Sequence, residues 1–274
     1  MSNIEKAFSG AKAFIGFVTG GDPDIDSSAG FALDMADGGA DLVEIGIPFS
    51  DPIAEGPVIQ EANIRALSAG TTTEKIFTLA SKIRKKSAVP LVFLTYLNPV
   101  FRYGYERFFS RSAEVGVDGI IVPDLPFEEQ AEVRDTARSR GIDLISLIAP
   151  TSKERISAIA RNASGFLYLV SSMGVTGVRG DLGGGLRETI AQVRAATKLP
   201  AAVGFGIHTP AQAAEVASLA DGVIVGSAIV KLVAEHGREA GPHIRRYVRE
   251  MKAAMNLPAT KQRQAVLPDV LPPS

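Results

Sequence analysis

Short apolar runs alternate regularly with longer segments of helical periodicity along this chain. The apolar runs are nearly continuous instead of alternating apolar with polar residues, which is typical of parallel strands covered on both faces. The pattern predicts eight strands, at residues 13–18, 42–47, 91–96, 119–122, 144–148, 166–170, 201–205 and 222–225.

Helical periodicity and terminal signals predict the intervening segments. Pro126 precedes one of them and Gly141 follows it, the usual asymmetry of helix ends. The predicted helices lie at 27–37, 73–86, 127–140, 151–162, 186–197, 210–219, 228–235 and 241–255, with further pieces at 3–9 and within 98–115. Eight strand–helix units predict a (β/α)8 TIM barrel with an extra N-terminal helix and additional short helices. An open doubly wound sheet is the alternative, but no glycine-rich dinucleotide turn follows the first predicted strand.

The composition limits the domain organisation and the classes of partner that this chain is expected to have. The 274 residues, 46% of them hydrophobic, suit one barrel domain at 1–258, followed by a proline-rich and flexible tail at 259–274. The 29 Lys and Arg residues nearly balance 30 Asp and Glu residues, so nucleic acid and membrane surfaces are not expected partners. Cysteine is absent, the N-terminus does not resemble a signal peptide, and no apolar run approaches the ~20 residues of a membrane span. A cytoplasmic location is expected.

Two glutamates stand out in the segment VEIGIPFSDPIAEGP. Glu44 lies within the apolar run of the second predicted strand, and Glu55 lies in the loop that follows it. An inward Glu44 would be buried near the barrel mouth, where burial raises a carboxyl pKa and suits it to acid–base catalysis. The alternatives are an outward Glu44 paired with a basic residue of a covering helix, and a Glu55 that is merely solvated.

Glycines follow the last two predicted strands. VGFGIHTP places Gly204 and Gly206 at the end of the seventh, and DGVIVGSAIV places Gly226 and Ser227 at the end of the eighth, where a helix begins. Loops at these two positions, with a helix N-terminus, commonly bind phosphate in TIM barrels. The alternative is that these glycines only form tight turns.

The segment after the sixth strand, SSMGVTGVRGDLGGGL, contains six glycines between residues 174 and 185. Its length and glycine content predict a lid over the barrel mouth, with a disordered insertion as the alternative. The three histidines, His208, His236 and His243, show no ligand spacing with carboxylates, and no metal site is predicted.

Taken together, VEIGIPFSDPIAEGP, GFVTGGDPD, TYLNPVFRYG, SSMGVTGVRG, VGFGI and VGSAIV resemble the tryptophan synthase alpha chain family, over about residues 3–255. The resemblance implies cleavage of indole-3-glycerol phosphate to indole and glyceraldehyde 3-phosphate, without a metal or cofactor in this chain. It also implies pairing with a beta chain, which carries pyridoxal phosphate, in an α2β2 heterotetramer. Contact residues would be Tyr96, Asn98, Pro99 and Phe101.

The resemblance further assigns roles within the site. It makes Glu44 the acid–base group and Glu55 the carboxylate that stabilises charge on the indole N–H; most of the family carries aspartate there. The implied substrate-binding residues are Phe17, Leu94, Tyr168, Thr176 and Phe205, and the implied phosphate-binding residues are Gly177, Gly206, Gly226 and Ser227. Three alternatives remain: a different phosphate-binding barrel enzyme such as a sugar-phosphate isomerase, a stand-alone indole lyase, and a barrel that mainly activates a partner.

Overall fold

A parallel β-barrel forms the centre of the molecule. The computed structural model describes residues 2–149, 155–170, 184–204 and 206–256. Its strands pair in chain order, and β1 also pairs with β8, which closes the barrel. The strands are β1 (Ala13–Thr19), β2 (Leu42–Gly46), β3 (Leu91–Leu94), β4 (Gly119–Ile121), β5 (Asp143–Ile148), β6 (Leu167–Val170), β7 (Ala201–Gly204) and β8 (Gly222–Val225). The predicted (β/α)8 fold is confirmed.

Helices surround the barrel. In the described part of the chain they are α1 (Asn3–Ala7), α2 (Ile25–Gly38), α3 (Pro57–Ser68), α4 (Thr73–Arg84), α5 (Leu97–Tyr103), α6 (Tyr105–Glu114), α7 (Ala131–Ser139), α8 (Ile156–Asn162), α9 (Gly184–Ala196), α10 (Pro210–Leu219), α11 (Ser227–His236) and α12 (Gly241–Met255). Short 3-10 helices lie at Phe127–Glu129 and Gly237–Ala240.

Most predicted elements overlap the observed ones. The helix predicted at 127–140 begins as a 3-10 helix at Phe127–Glu129 and continues as α7, and residues 151–154 of the helix predicted at 151–162 lie outside the described part. The segment predicted within 98–115 is divided into α5 and α6 at Gly104, whose φ of 91° is unfavourable for most other residues. Helix α3 was missed altogether. Its buried face consists of Ala62, Asn63 and Ala66, so the sequence lacks the broad apolar stripe that indicates a helix.

Two large hydrophobic cores hold the barrel together, and a smaller cluster consists of Phe17, Ala62 and Val230. Side chains of alternating strand residues, including Ile15, Leu42 and Val92, fill the barrel interior, and the intervening residues pack against the helices. Ile4 of α1 is fully buried within the interior core, so the extra N-terminal helix closes one end of the barrel. The opposite end, where the strands terminate, is the place for a catalytic site in this fold.

In the described residues, no helix combines the length and apolarity that crossing a bilayer would require. The boundary between a barrel domain at 1–258 and a tail at 259–274 stays a prediction, because residues 257–274 lie outside the described part.

Candidate active site

Glu44 points into the barrel. Its neighbours Val43 and Ile45 belong to the outer core, whereas Leu42, two residues earlier, belongs to the barrel interior. Side chains along a strand alternate between faces, so Glu44 shares the face of Leu42. Its Cα pairs with that of Phe17 on β1, and only 1% of the residue is exposed. The outward, salt-paired alternative is therefore wrong.

The environment of Glu44 favours the protonated carboxyl. Burial first, and the negative charge of Glu55 second, raise the pKa of Glu44 to about 8. Its Oε2 has no hydrogen-bond partner among the described residues. A buried polar atom without a partner is uncommon in a folded protein and calls for an explanation, such as a ligand or a catalytic role.

Glu55 is held in place by its surroundings. The Asn63 side-chain amide of α3 donates a hydrogen bond to Glu55 Oε2 at 2.6 Å, and the Gln60 side chain donates to the Glu55 carbonyl at 2.8 Å. Next to it, the Ala54 N–H donates to the Tyr96 hydroxyl at 3.1 Å. Partial burial raises the pKa of Glu55, and the hydrogen bond from Asn63 acts in the opposite direction. Glu55 is thus a positioned group and not a freely solvated one.

Both carboxylates line one cavity of about 590 Å³ at the C-terminal end of the strands. This volume is in the range of small-molecule binding sites. Every predicted site residue that the structure describes lines this cavity: Phe17, Glu44, Glu55, Leu94, Tyr168, Gly206, Gly226 and Ser227. The sequence prediction thus selected residues that are distant in the chain but adjacent in space.

Two aromatic residues give the cavity an apolar interior. Phe17 of β1 and Tyr168 of β6 each pack over a glycine of the neighbouring strand. A Cβ at Gly46 would lie 2.7 Å from the Phe17 ring, and a Cβ at Gly204 would lie 2.5 Å from the Tyr168 hydroxyl. These strand glycines are therefore required for the rings to occupy their places.

The part of the cavity that follows β7 and β8 has the form of an anion site. Gly206 follows β7 with a φ of 80°, and Gly226 caps the N-terminus of α11 without a side-chain hydrogen bond. The first N–H groups of a helix are unpaired within it and favour a bound anion. Ser227, the first residue of α11, adds a hydroxyl.

Three residues important to this geometry were not identified from sequence. Lys231 lines the cavity on α11, and its spacing of four residues from Ser227 could have suggested it. His208 lines the cavity with a ring nitrogen 2.9 Å from the Gly206 carbonyl oxygen. Asn63 was missed because α3 was missed.

Some of the predicted site residues lie outside the described part of the chain. Thr176, Gly177 and Phe205 lie outside the described residues, as do residues 174–183 of the predicted lid. The prediction that Tyr96 contacts a partner is wrong, because Tyr96 is 1% exposed and its hydroxyl accepts a hydrogen bond from Ala54 in the Glu55 loop. In contrast, Asn98 is exposed and Phe101 is 65% exposed.

Within the described ranges, no three His, Cys, Asp or Glu side chains are grouped in a way that could hold a metal ion. The predicted absence of a metal stays a prediction.

Comparison with known proteins agrees with this geometry. The family model for the tryptophan synthase alpha chain matches residues 4–257. The tryptophan synthase alpha chain of Lacticaseibacillus casei is 48% identical over 93% of this chain and 96% of its own length. That of Lactiplantibacillus plantarum is 49% identical over 93% and 97%. A solved structure of the tryptophan synthase α2β2 complex from Pyrococcus furiosus superposes with a TM-score of 0.82 at 37% identity, covering 89% of this chain and 98% of that one. The chain therefore belongs to the tryptophan synthase alpha chain family.

Proposed function

We propose that Glu44 and Glu55 carry out, in this chain, the reaction of the tryptophan synthase alpha chain family. That reaction is the cleavage of indole-3-glycerol phosphate to indole and glyceraldehyde 3-phosphate, a lyase step of tryptophan biosynthesis. The observation that carries the assignment is the buried Glu44 carboxyl, whose Oε2 has no partner among the described residues, in the same cavity as Glu55 and the glycines after β7 and β8.

The first step requires an acid. Breaking the bond between indole C3 and the glycerol side chain leaves electrons on the ring, and protonation of C3 makes the ring a leaving group. A carboxyl with a pKa of about 8 is mostly protonated at neutral pH, so Glu44 can donate this proton. The same protonation places positive charge on the ring, at the indole nitrogen.

Glu55 stabilises that positive charge. A carboxylate that accepts a hydrogen bond from the indole N–H favours the charged intermediate over the bound substrate, which is the condition for lowering the barrier. One oxygen of Glu55 is engaged by Asn63, and Oε1 accepts no hydrogen bond from any described residue. This oxygen is the one we assign to the N–H.

The second step requires a base. After donating its proton, Glu44 is a carboxylate in an apolar cavity and takes the proton from the side-chain hydroxyl. The C–C bond then breaks, its electrons restore the aromatic indole, and the hydroxyl carbon becomes the aldehyde of glyceraldehyde 3-phosphate. Glu44 ends protonated, as it began, so the carboxylates complete the cycle without a cofactor in this chain.

The phosphate group is proposed to bind at Gly206, Gly226 and Ser227. Besides the protonated Glu44, the carboxylates of Glu55 and Glu235 line the cavity, so an anionic substrate gains from a nearby cation. Lys231 is the single Lys or Arg among the described residues that line it. Its ammonium group would attract the phosphate through solvent instead of replacing the backbone contacts.

A tryptophan synthase beta chain is the proposed partner, in an α2β2 complex like the one solved for Pyrococcus furiosus. Two large apolar side chains support this, Ile53 at 77% exposure and Phe101 at 65%, because exposed apolar groups often mark interfaces. Both belong to segments next to the cavity mouth, after β2 and β3. Pyridoxal phosphate is expected only in the partner, and a cytoplasmic location remains part of the proposal.

The assignment of Glu44 is tested with Glu44→Gln, which keeps the shape of the side chain but cannot exchange a proton. We expect indole release to fall at least ~1,000-fold, with and without a beta chain, while binding of indole-3-glycerol phosphate persists in calorimetry. Glu250→Gln, the same change at an exposed position of α12, should match the unmodified chain. Turnover near the normal rate in Glu44→Gln would exclude the proton-transfer role.

A further inference from the structure

We infer that Asn63 is a positioning residue that keeps the Glu55 carboxylate ionised and aimed at the substrate. The inference rests on the proposed charge-stabilising role of Glu55. It adds to the reaction a residue that does not line the cavity and touches substrate only through another side chain.

The contact itself is short and shielded. Asn63 Nδ2 lies 2.6 Å from Glu55 Oε2, and Asn63 is 3% exposed. A hydrogen bond to a carboxylate is stronger than one between neutral groups, and shielding from water strengthens it further. An amide can donate to a carboxylate without carrying a charge of its own, so it orients Glu55 without cancelling the negative charge that the indole N–H needs.

The helix that carries Asn63 is fixed at a second point. Arg65, two residues later, donates two hydrogen bonds to the Asp22 carboxylate in the loop after β1, at 2.9 and 2.7 Å. Asp22 is 2% exposed, so this pair ties α3 to the barrel. Asn63 therefore presents its amide from a rigid element, although Glu55 itself lies on a loop.

The charges around Glu55 explain why such a donor is useful. Glu44 from β2 is held protonated, and Tyr96 after β3 has a pKa raised to about 12 mainly by burial, so neither offers Glu55 a positive charge. Lys231 and His208 lie on the β7 and β8 side of the cavity. Burial alone would favour a neutral Glu55, and the Asn63 amide is the described contact that opposes this.

The test is the pH profile of kcat for indole formation in Asn63→Leu, which is close in size but cannot donate. Activity requires ionised Glu55 at the acid limb and protonated Glu44 at the basic limb. We expect the acid limb to move upward by about one pH unit and the basic limb to stay, since Glu55 is ionised there in any case. Asn63→Ala, which leaves room for a donating water, should shift the acid limb less.

Gln60→Ala is the matched control, because Gln60 holds the same loop through the Glu55 carbonyl and not through the carboxylate. Its acid limb should not move. Unshifted limbs in both folded Asn63 variants, with only a uniform loss of rate, would overturn the inference. Glu55→Gln distinguishes the role of Glu55 from the role of Asn63. Full activity in Glu55→Gln would refute the role of Glu55 itself. Lost activity in Glu55→Gln, together with unshifted acid limbs in the Asn63 variants, would refute the role of Asn63 alone.

Discussion

The placement of Glu44 predicts that Glu44→Gln is more stable than the unmodified chain, by an amount that grows as the pH rises. The folded chain holds this carboxyl at a pKa of about 8, against 4.5 for an unperturbed glutamate. The folded state therefore binds a proton that the unfolded state has already released between these two values. Stability from this group is fully present below pH 4.5, falls through the interval and is lost above pH 8.

The size of the effect follows from the two pKa values. At 1.36 kcal/mol for each pH unit, the interval from 4.5 to about 8 corresponds to about 5 kcal/mol in the free energy of unfolding. Glu44→Gln has a neutral side chain of nearly the same size at every pH, so it avoids this loss. We expect it to exceed the unmodified chain by about 3 kcal/mol at pH 7, with the difference growing by about 4 kcal/mol from about pH 5 to pH 9.

Urea unfolding at several pH values measures this difference directly, provided that the m-values of the variants agree. Glu250→Gln removes a carboxylate from an exposed site and should give a difference near zero throughout. A stability difference between Glu44→Gln and the unmodified chain that does not change with pH would refute the reasoning, because it would mean that Glu44 titrates normally in the folded state. A stable but inactive variant is the expected signature of a residue kept for function at a cost in stability.

Substitutions at three further positions test the proposed phosphate site, the role of Lys231 and the proposed interface. Gly226→Ala places a Cβ at ordinary contact distance, 3.5 Å, from Phe17, so the thermal unfolding temperature should change little. KM should rise about tenfold because the methyl group crowds the proposed phosphate site. A lower unfolding temperature would mean that Gly226 is needed for folding instead. Lys231→Met should raise KM about fivefold and weaken its dependence on salt, with kcat nearly unchanged and Lys231→Arg close to normal; equal salt dependence in all three proteins would contradict the electrostatic role. Phe101→Glu should lower the affinity for a beta chain at least tenfold in calorimetry, and unaltered affinity would place the interface elsewhere.

The barrel could be predicted from sequence because its strands are buried on both faces and read as separate apolar runs. The same periodicity left two directions for Glu44, toward the interior or toward the helices, and the structure selects the interior. Glycines after β7 and β8 were informative because the fold assigns a recurring function to those two loops.

The rest of the site depended on contacts that periodicity does not encode. Helix α3 buries small and polar residues, so neither the helix nor the Asn63 contact to Glu55 was visible in the apolar pattern. Tyr96 was expected at an interface, yet its side chain is buried and its hydroxyl accepts a hydrogen bond from the Ala54 N–H. These features depend on tertiary contacts between segments, which one sequence alone does not reveal.

A titration of the Glu44 carboxyl itself tests most directly whether this group is protonated at neutral pH. Carbon-13 NMR of chain labelled at glutamate Cδ follows each carboxyl with pH, and comparison with Glu44→Gln identifies the Glu44 signal. The account predicts a midpoint near pH 8 for that signal. A midpoint near 4.5 would show an ionised Glu44 at neutral pH and would contradict its role as the acid that protonates indole.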